Sequence, residues 1–168
     1  MSGADYAEYF EWEDGNPNNE DRRGRFVSLV KDKIHLATQN NDIIGIVSAA
    51  PGAVGNGYDL NWQGRYLRDE FGAILYHDEI IDEEGNTEYV PIENPDFDAT
   101  QEYMARSDRK EWDMVGLIGQ LIMLHDGTCE VGGYCAPGVD GIATASLEKT
   151  NCRVMKRIDD THILVLLK

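Results

Sequence analysis

The chain has 168 residues, 42% of them hydrophobic and 27% charged, which fits one folded globular domain rather than a disordered chain. Its formal net charge is -16 and its isoelectric point about 4.4. Such a surface repels nucleic acid and anionic membranes, so neither is expected as a partner, and copies of the chain can associate only where acids are neutralised.

The first residues, MSGADYAE, carry no basic stretch and no apolar stretch of a secretory leader, and no run is long enough to span a membrane. From Asp5 to Asp14 five of ten residues are acids, interleaved with Tyr6, Tyr9, Phe10 and Trp12. A helix over 5–12 would put Asp5, Glu8 and Trp12 on one face with Glu11 near them. Acids in a first helical turn are ordinary, because the helix dipole favours them. Two carboxyl groups held close against rings have a chemical use as well. They cannot both ionise readily, which yields a general acid beside a general base, the pair needed to hydrolyse an amide.

Residues 13–24 form a polar loop. FVSLV (26–30) and IHLAT (34–38) predict strands, and IIGIVSA (43–49) a buried strand ended by the turn-rich PGAVGNG. NWQGRYLRDEFG (61–72) predicts a short helical turn ending at Gly72. Residues 73–92 read as a hairpin about Glu84-Gly85-Asn86, with Asp78, Glu79, Asp82, Glu83 and Glu84 at an acidic tip that lacks calcium-loop spacing. After a polar connection over 93–111, VGLIGQLIML (115–124) fits helix or strand by periodicity, and its two glycines and the following HDGT turn favour strand. EVGGYCAPG, GIATAS, CRVMKRI and HILVLL add short strands, the last two joined by a turn at Asp159-Asp160. The sum is a mainly β fold, with α+β as the variant, containing one or two short helices in a single compact domain over 1–168.

Other chemistry finds little support. Cys129, Cys135 and Cys152 are odd in number and lack Cys-x-x-Cys spacing, so with His125 nearby they give only a faint metal signal, and no metal is expected. Ser48 follows a strand, but no Gly-x-Ser-x-Gly elbow accompanies it or the scattered His35, His77, His125 and His162, and no phosphate-binding Gly-rich loop is present. Arg65 and Arg68, and Arg106, Arg109 and Lys110, are dense basic groups in an acidic chain, suited either to the surface or to neutralising carboxylates of another segment or subunit. Tyr58, Trp62 and Tyr66 are aromatics near loops that a glycan-binding module would expose.

Taken in order, ADYAEYFEWEDGN, IIGIVSAAPGAVGN, WQGRYLRDEFG, RKEWDMVGLIGQL, DGTCEVGGYC and GIAT span nearly the whole chain. This set resembles the self-cleaving glutamic-peptidase domain at the C-terminus of phage tail-spike and pre-neck appendage proteins, an intramolecular chaperone. The resemblance implies a domain that helps three chains assemble in the host-cell cytoplasm, then cuts itself from the upstream spike in a single turnover and leaves the mature virion. It places the scissile bond at Ala4–Asp5, with Glu8 as the catalytic glutamate and Asp5 as its carboxylate partner. Residues 1–4 then read as an upstream remnant and 5–24 as the cleavage-site segment and loop. The expected partners are the homotrimer and the chain's own upstream segment. Catalysis needs no cofactor, and ATP is implied as an aid to release, although no nucleotide motif is recognisable. Arg65 or Arg109 from a neighbouring subunit would complete the site. The alternatives are a trimerisation module without activity and a host-surface binding module.

Overall fold

A computed structural model describes residues 4–57, 64–77, 80, 81, 83–102 and 104–168. Twelve strands follow in chain order: β1 (Ala4–Glu11), β2 (Phe26–Val30), β3 (Lys33–Leu36), β4 (Gly45–Val47), β5 (Ala53–Gly55), β6 (Ile80–Ile81), β7 (Thr87–Glu88), β8 (Trp112–Leu124), β9 (Tyr134–Pro137), β10 (Ala143–Ser146), β11 (Cys152–Arg157) and β12 (His162–Leu167). The helical content among the described residues is two three-residue 3-10 turns, Arg106–Asp108 and Val139–Gly141. The mainly β expectation therefore holds.

Two helical expectations do not. Residues 5–11 lie in β1, where Asp5, Ala7 and Tyr9 point inward while Ala4 and Tyr6 are exposed. Pairing along both edges of this strand outweighs a helical preference that no i, i+4 contact supports. Within 61–72, the described residues from Gly64 on form turns and the isolated bridges of Tyr66 and Arg68, not a helix. Tyr58 and Trp62 lie outside the described residues, as do Asp78, Glu79 and Asp82 of the acidic tip.

The chain divides into two compact units, Met1–Gly57 with Arg106–Lys168, and Tyr58–Ala105. In the smaller unit β6 and β7 pair as Ile80↔Glu88 and Ile81↔Thr87, the hairpin expected about Gly85. Gly85 has φ +86, which only glycine adopts without strain. In the larger unit ten strands form one sheet in the order β10-β9-β11-β12-β8-β4-β2-β3, with β1 paired to β8 and β5 to β1. Among the described strands of this sheet, only β5 and β1 pair in parallel. The 13-residue β8 is the hub, pairing with β1, β4 and β12.

Two apolar clusters flank this sheet. Phe26, Ile46, Met123, Ile163 and Val165 belong to one, and Trp12, Val27, Ile34, Val47 and Val115 to the other. Consecutive residues Phe26 and Val27, and likewise Ile46 and Val47, serve different clusters, so β2 and β4 are covered on both faces. That is why FVSLV and IIGIVSA read as continuous rather than alternating runs. The three cysteines are buried in or beside the first cluster, with Cys135 Sγ 3.2 Å from Cys152 Sγ. No helix among the described residues is long and apolar enough to cross a membrane.

The loop after β1 is tied to it by Arg22. Its guanidinium lies 4.4 Å from the centre of the Trp12 ring and donates to both carboxylate oxygens of Asp14, at 3.0 and 2.7 Å, and to Glu20 at 2.9 Å. The Arg22 hydrogen bonds lower the Asp14 pKa from 3.8 to about 2. A depressed carboxylate pKa contributes stability above about pH 3.8, and that contribution is lost as the pH falls through about 2. Asp14 is half exposed, so the pair is worth roughly 0.5–1 kcal/mol after screening. An Asp14→Asn variant is expected to unfold at lower urea than the parent at pH 6, and the gap between their midpoints is expected to close by pH 2.

Candidate active site

The candidate scissile bond, Ala4–Asp5, opens the central part of a three-strand arrangement. β1 pairs antiparallel with β8 through Ala4↔Gln120, Asp5↔Gly119 and Tyr6↔Ile118. A bulge then skips Leu117, and Ala7↔Gly116 and Glu8↔Val115 continue the register. On its other edge β1 runs parallel to β5, with Glu8 opposite Gly55. The Gly52 N–H donates to the Asp5 carbonyl oxygen at 2.9 Å. The candidate cleavage segment is thus built into the sheet as a structural strand rather than left as an exposed loop.

Strand geometry sends the two candidate carboxyl groups to opposite faces, because they are three residues apart and side chains alternate. Asp5 is buried at 6% exposure, and its Oδ2 makes no hydrogen bond to any described residue. Glu8 is half-buried on the other face, where its Oε1 accepts the Tyr6 hydroxyl at 2.6 Å. That hydrogen bond, with burial and the Glu8 charge, raises the Tyr6 phenol above its usual pKa of 10.0. The single face shared by Asp5, Glu8 and Trp12, expected from a helix, does not exist. Trp12 is fully buried at the end of the strand and donates its indole N–H to Asp113 at 2.8 Å.

Three glycines that composition alone does not single out shape the site. A Cβ on Gly55 would lie 2.6 Å from the Tyr6 hydroxyl and 3.1 Å from Glu8 Cγ, so this position leaves room for the Tyr6–Glu8 pair. Gly116 and Gly119 of β8 face Asp5 and the Ala4–Asp5 peptide in the same manner. The signal for them was present in VGLIGQL and PGAVGNG, but what each glycine approaches is a matter of register.

The basic residues have other partners. Arg109 is held by Glu111 at 2.8 Å and lies 5.8 Å from the Trp112 ring centre. Arg65, in the smaller unit, pairs with Glu93 at 3.3 Å and stacks near Tyr66 and Phe97. Arg106 is buried over the Trp112 ring at 3.8 Å and donates to the Asn56 carbonyl, while Asn56 donates to the Tyr9 carbonyl at 2.8 Å, which ties the end of β5 to β1. His125 is buried with neither ring nitrogen bonded to a described residue, away from the β1 register. A cavity of about 640 Å³ lies between the 39–43 loop and β10, lined by Asn41, Asp42, Ser146, Glu148 and Asn151. Its lining among the described residues includes no lysine or arginine.

Residues 1–160 match the family model described as Peptidase_G2, IMC autoproteolytic cleavage domain. The chain belongs to this family. It is 40% identical over 141 residues to the pre-neck appendage protein of Bacillus phage B103, covering 84% of this chain and 16% of that protein. It is 35% identical over 153 residues to the putative phage-related protein YobO of Bacillus subtilis strain 168, covering 90% of this chain and 18% of that one. Among solved structures, the pre-mature bacteriophage phi29 gene product 12 superposes with a TM-score of 0.89 at 34% identity, over 100% of this chain and 22% of that one. The C-terminal fragment of the same gene product gives 0.81 at 36% identity, over 98% of this chain and 100% of the fragment. The chain therefore spans about a sixth of the curated relatives it matches. It corresponds to an autoproteolytic cleavage domain of longer phage appendage polypeptides.

Proposed function

We propose that this domain cuts the Ala4–Asp5 bond and so detaches itself, once, from an upstream appendage segment of its own polypeptide. The observation that carries the reading is the seating of that bond at the start of β1, paired with Gln120 and Gly119 of β8 and held by the Gly52 N–H just before β5, with a buried carboxyl on one face and an accessible carboxylate on the other. Glu8, on the face nearer water and roughly 10 Å along the strand from the bond, takes a proton through a bridging water from the water molecule whose oxygen adds to the Ala4 carbonyl carbon. Asp5, on the opposite face, delivers a proton to its own backbone nitrogen as the carbon–nitrogen bond breaks. Attack on one face of a peptide leaves the nitrogen lone pair on the other, so two groups on opposite faces suit the two transfers. The products are a carboxylate at Ala4 and an α-amine at Asp5, and one water is consumed.

The tethered bond is present at very high effective concentration, so a slow site suffices for one turnover. Assembly of three chains before the cut requires acids to be neutralised at the interface, where a neighbour's Arg65 or Arg109 would exchange its own partner Glu93 or Glu111 for another carboxylate. Cleavage in the infected cell would then follow correct assembly, and the chaperone role belongs to the uncut state. Water and two carboxyl groups complete the chemistry, and no step passes through ATP.

The test is the intact mass of the chain expressed with an upstream appendage segment. The expected result is a fragment beginning at Asp5, together with trimers in sedimentation before the cut. An uncut stable trimer would leave an assembly module without peptidase activity, and a fragment beginning elsewhere would move the site.

A further inference from the structure

Two glycines of β8 meet the bond proposed for cleavage, and both do so where a side chain would collide. Gly119, opposite Asp5, has φ +118, and a Cβ there would lie 2.4 Å from the Ala4 carbonyl oxygen, 2.7 Å from Asp5 Cα and 3.2 Å from the Ala4 carbonyl carbon. A Cβ on Gly116 would lie 2.8 Å from Asp5 Oδ2. Atoms of real side chains essentially never come so close, so the space at Gly119 is already filled by the Ala4–Asp5 peptide, and the space at Gly116 by the Leu121 side chain together with the Asp5 carboxyl.

Asp5, which shares the Gly116 recess with Leu121, is 94% buried, and its Oδ2 has no hydrogen-bond partner among the described residues. Burying a carboxyl oxygen without a partner is costly, and a strand of this kind has no structural need of one. Alanine at position 5 would pack there without that cost. The bulge that skips Leu117 separates the two glycines so that one reaches the peptide and the other the carboxyl.

We infer that Gly116 and Gly119 are positioning residues for the proposed cut: together they form a recess in β8 that clamps the scissile peptide and holds the Asp5 carboxyl away from water beside its own backbone nitrogen. This inference rests on the assignment of the bond to Ala4–Asp5. Orientation of this kind is rate-determining in tethered reactions, where a displacement of about 1 Å slows chemistry by up to ~100-fold.

A simple Gly116→Ala change would confound position with folding, because the new methyl also falls 2.2 Å from Leu121 Cδ2. Leu121→Ala removes that second clash and leaves the one with Asp5. The experiment uses the full chain with its upstream segment and compares the parent, Leu121→Ala, the double variant Gly116→Ala/Leu121→Ala, and Val154→Ala. The last is a buried core change off the β1 register. Single-turnover cleavage is measured per folded molecule, at temperatures where circular dichroism shows equal folded fractions.

The double variant is expected to cut roughly 10- to 100-fold more slowly than Leu121→Ala, while Val154→Ala stays near the parental rate. Equal rates for the double variant and Leu121→Ala would overturn the inference and leave the bond assignment standing. Equal slowing in all three variants would also overturn it, since a general loosening of the folded core would then explain the loss. A parent that is never cut before Asp5 would overturn the bond assignment itself, and the recess with it.

Discussion

Glu8→Gln in the upstream-extended chain is expected to abolish the fragment that begins at Asp5, with a rate loss of roughly 10²- to 10⁴-fold. Glutamine has almost the same shape, and its carbonyl oxygen still accepts the Tyr6 hydroxyl that reaches Glu8 at 2.6 Å. The local fold, including the close approach of Gly55, is therefore kept. What disappears is the ability to take a proton from water. Tyr6→Phe provides the contrast, because it removes the hydroxyl and leaves the carboxylate. Its expected loss is no more than about tenfold, in keeping with one hydrogen bond worth about 1 kcal/mol. Intact mass against time for the three chains decides the matter. A Glu8→Gln chain that cuts at the parental rate would remove Glu8 from the chemistry and leave Asp5, or a group from another subunit, to activate water.

Trp12→Ala is expected to give the largest loss of stability, about 3–5 kcal/mol. The ring is fully buried, belongs to the second core cluster and lies at the end of β1. Its removal leaves a cavity between Val27, Ile34, Val47 and Val115. It also strips the Arg22 guanidinium of the ring it covers and Asp113 of the indole donor. Burial already raises the Asp113 pKa, and the Trp12 hydrogen bond opposes that rise. Without the donor the buried carboxyl is less favourable still. For a chain of this size the midpoint of thermal unfolding should fall by roughly 6–20 °C. Trp12→Phe keeps most of the volume and loses the donor, so a smaller loss of about 1–2 kcal/mol is expected. Urea unfolding of the two variants separates the packing contribution from the hydrogen bond. Equal losses would mean that the indole N–H, not the ring, carries the stability.

Trp12 also connects stability to the proposed chemistry. It terminates the strand that carries Asp5 and Glu8, and the Arg22–Asp14 pair holds the following loop against it. The aromatics interleaved with the acids at the start of the chain thus have separate tasks. Trp12 and Tyr9 anchor the strand in the interior, while Tyr6 stays outside and binds Glu8.

Much of this protein was determined by the sequence alone. Runs such as FVSLV, CRVMKR and HILVLL specify strands, because branched and aromatic residues in short runs between turn residues have few other ways to be buried. The ordered set of motifs, from ADYAEYFEWEDGN to GIAT, carries the family and with it the candidate bond and its two acids. The opening segment was different. Its apolar residues at 6, 7, 9, 10 and 12 suit a helix as well as a strand, and only pairing with β5 and β8 selects the strand. That selection changes the site, since a period of 3.6 places residues 5 and 8 together and a period of 2 sets them apart. The recess under the Ala4–Asp5 bond was hidden for a related reason. Gly116 and Gly119 lie more than 110 positions from Asp5, and a glycine's missing side chain acquires meaning only when another strand is brought against it. Local preferences act between near neighbours, whereas register and burial are properties of the whole sheet, so the tertiary structure alone decided which face each carboxyl occupies.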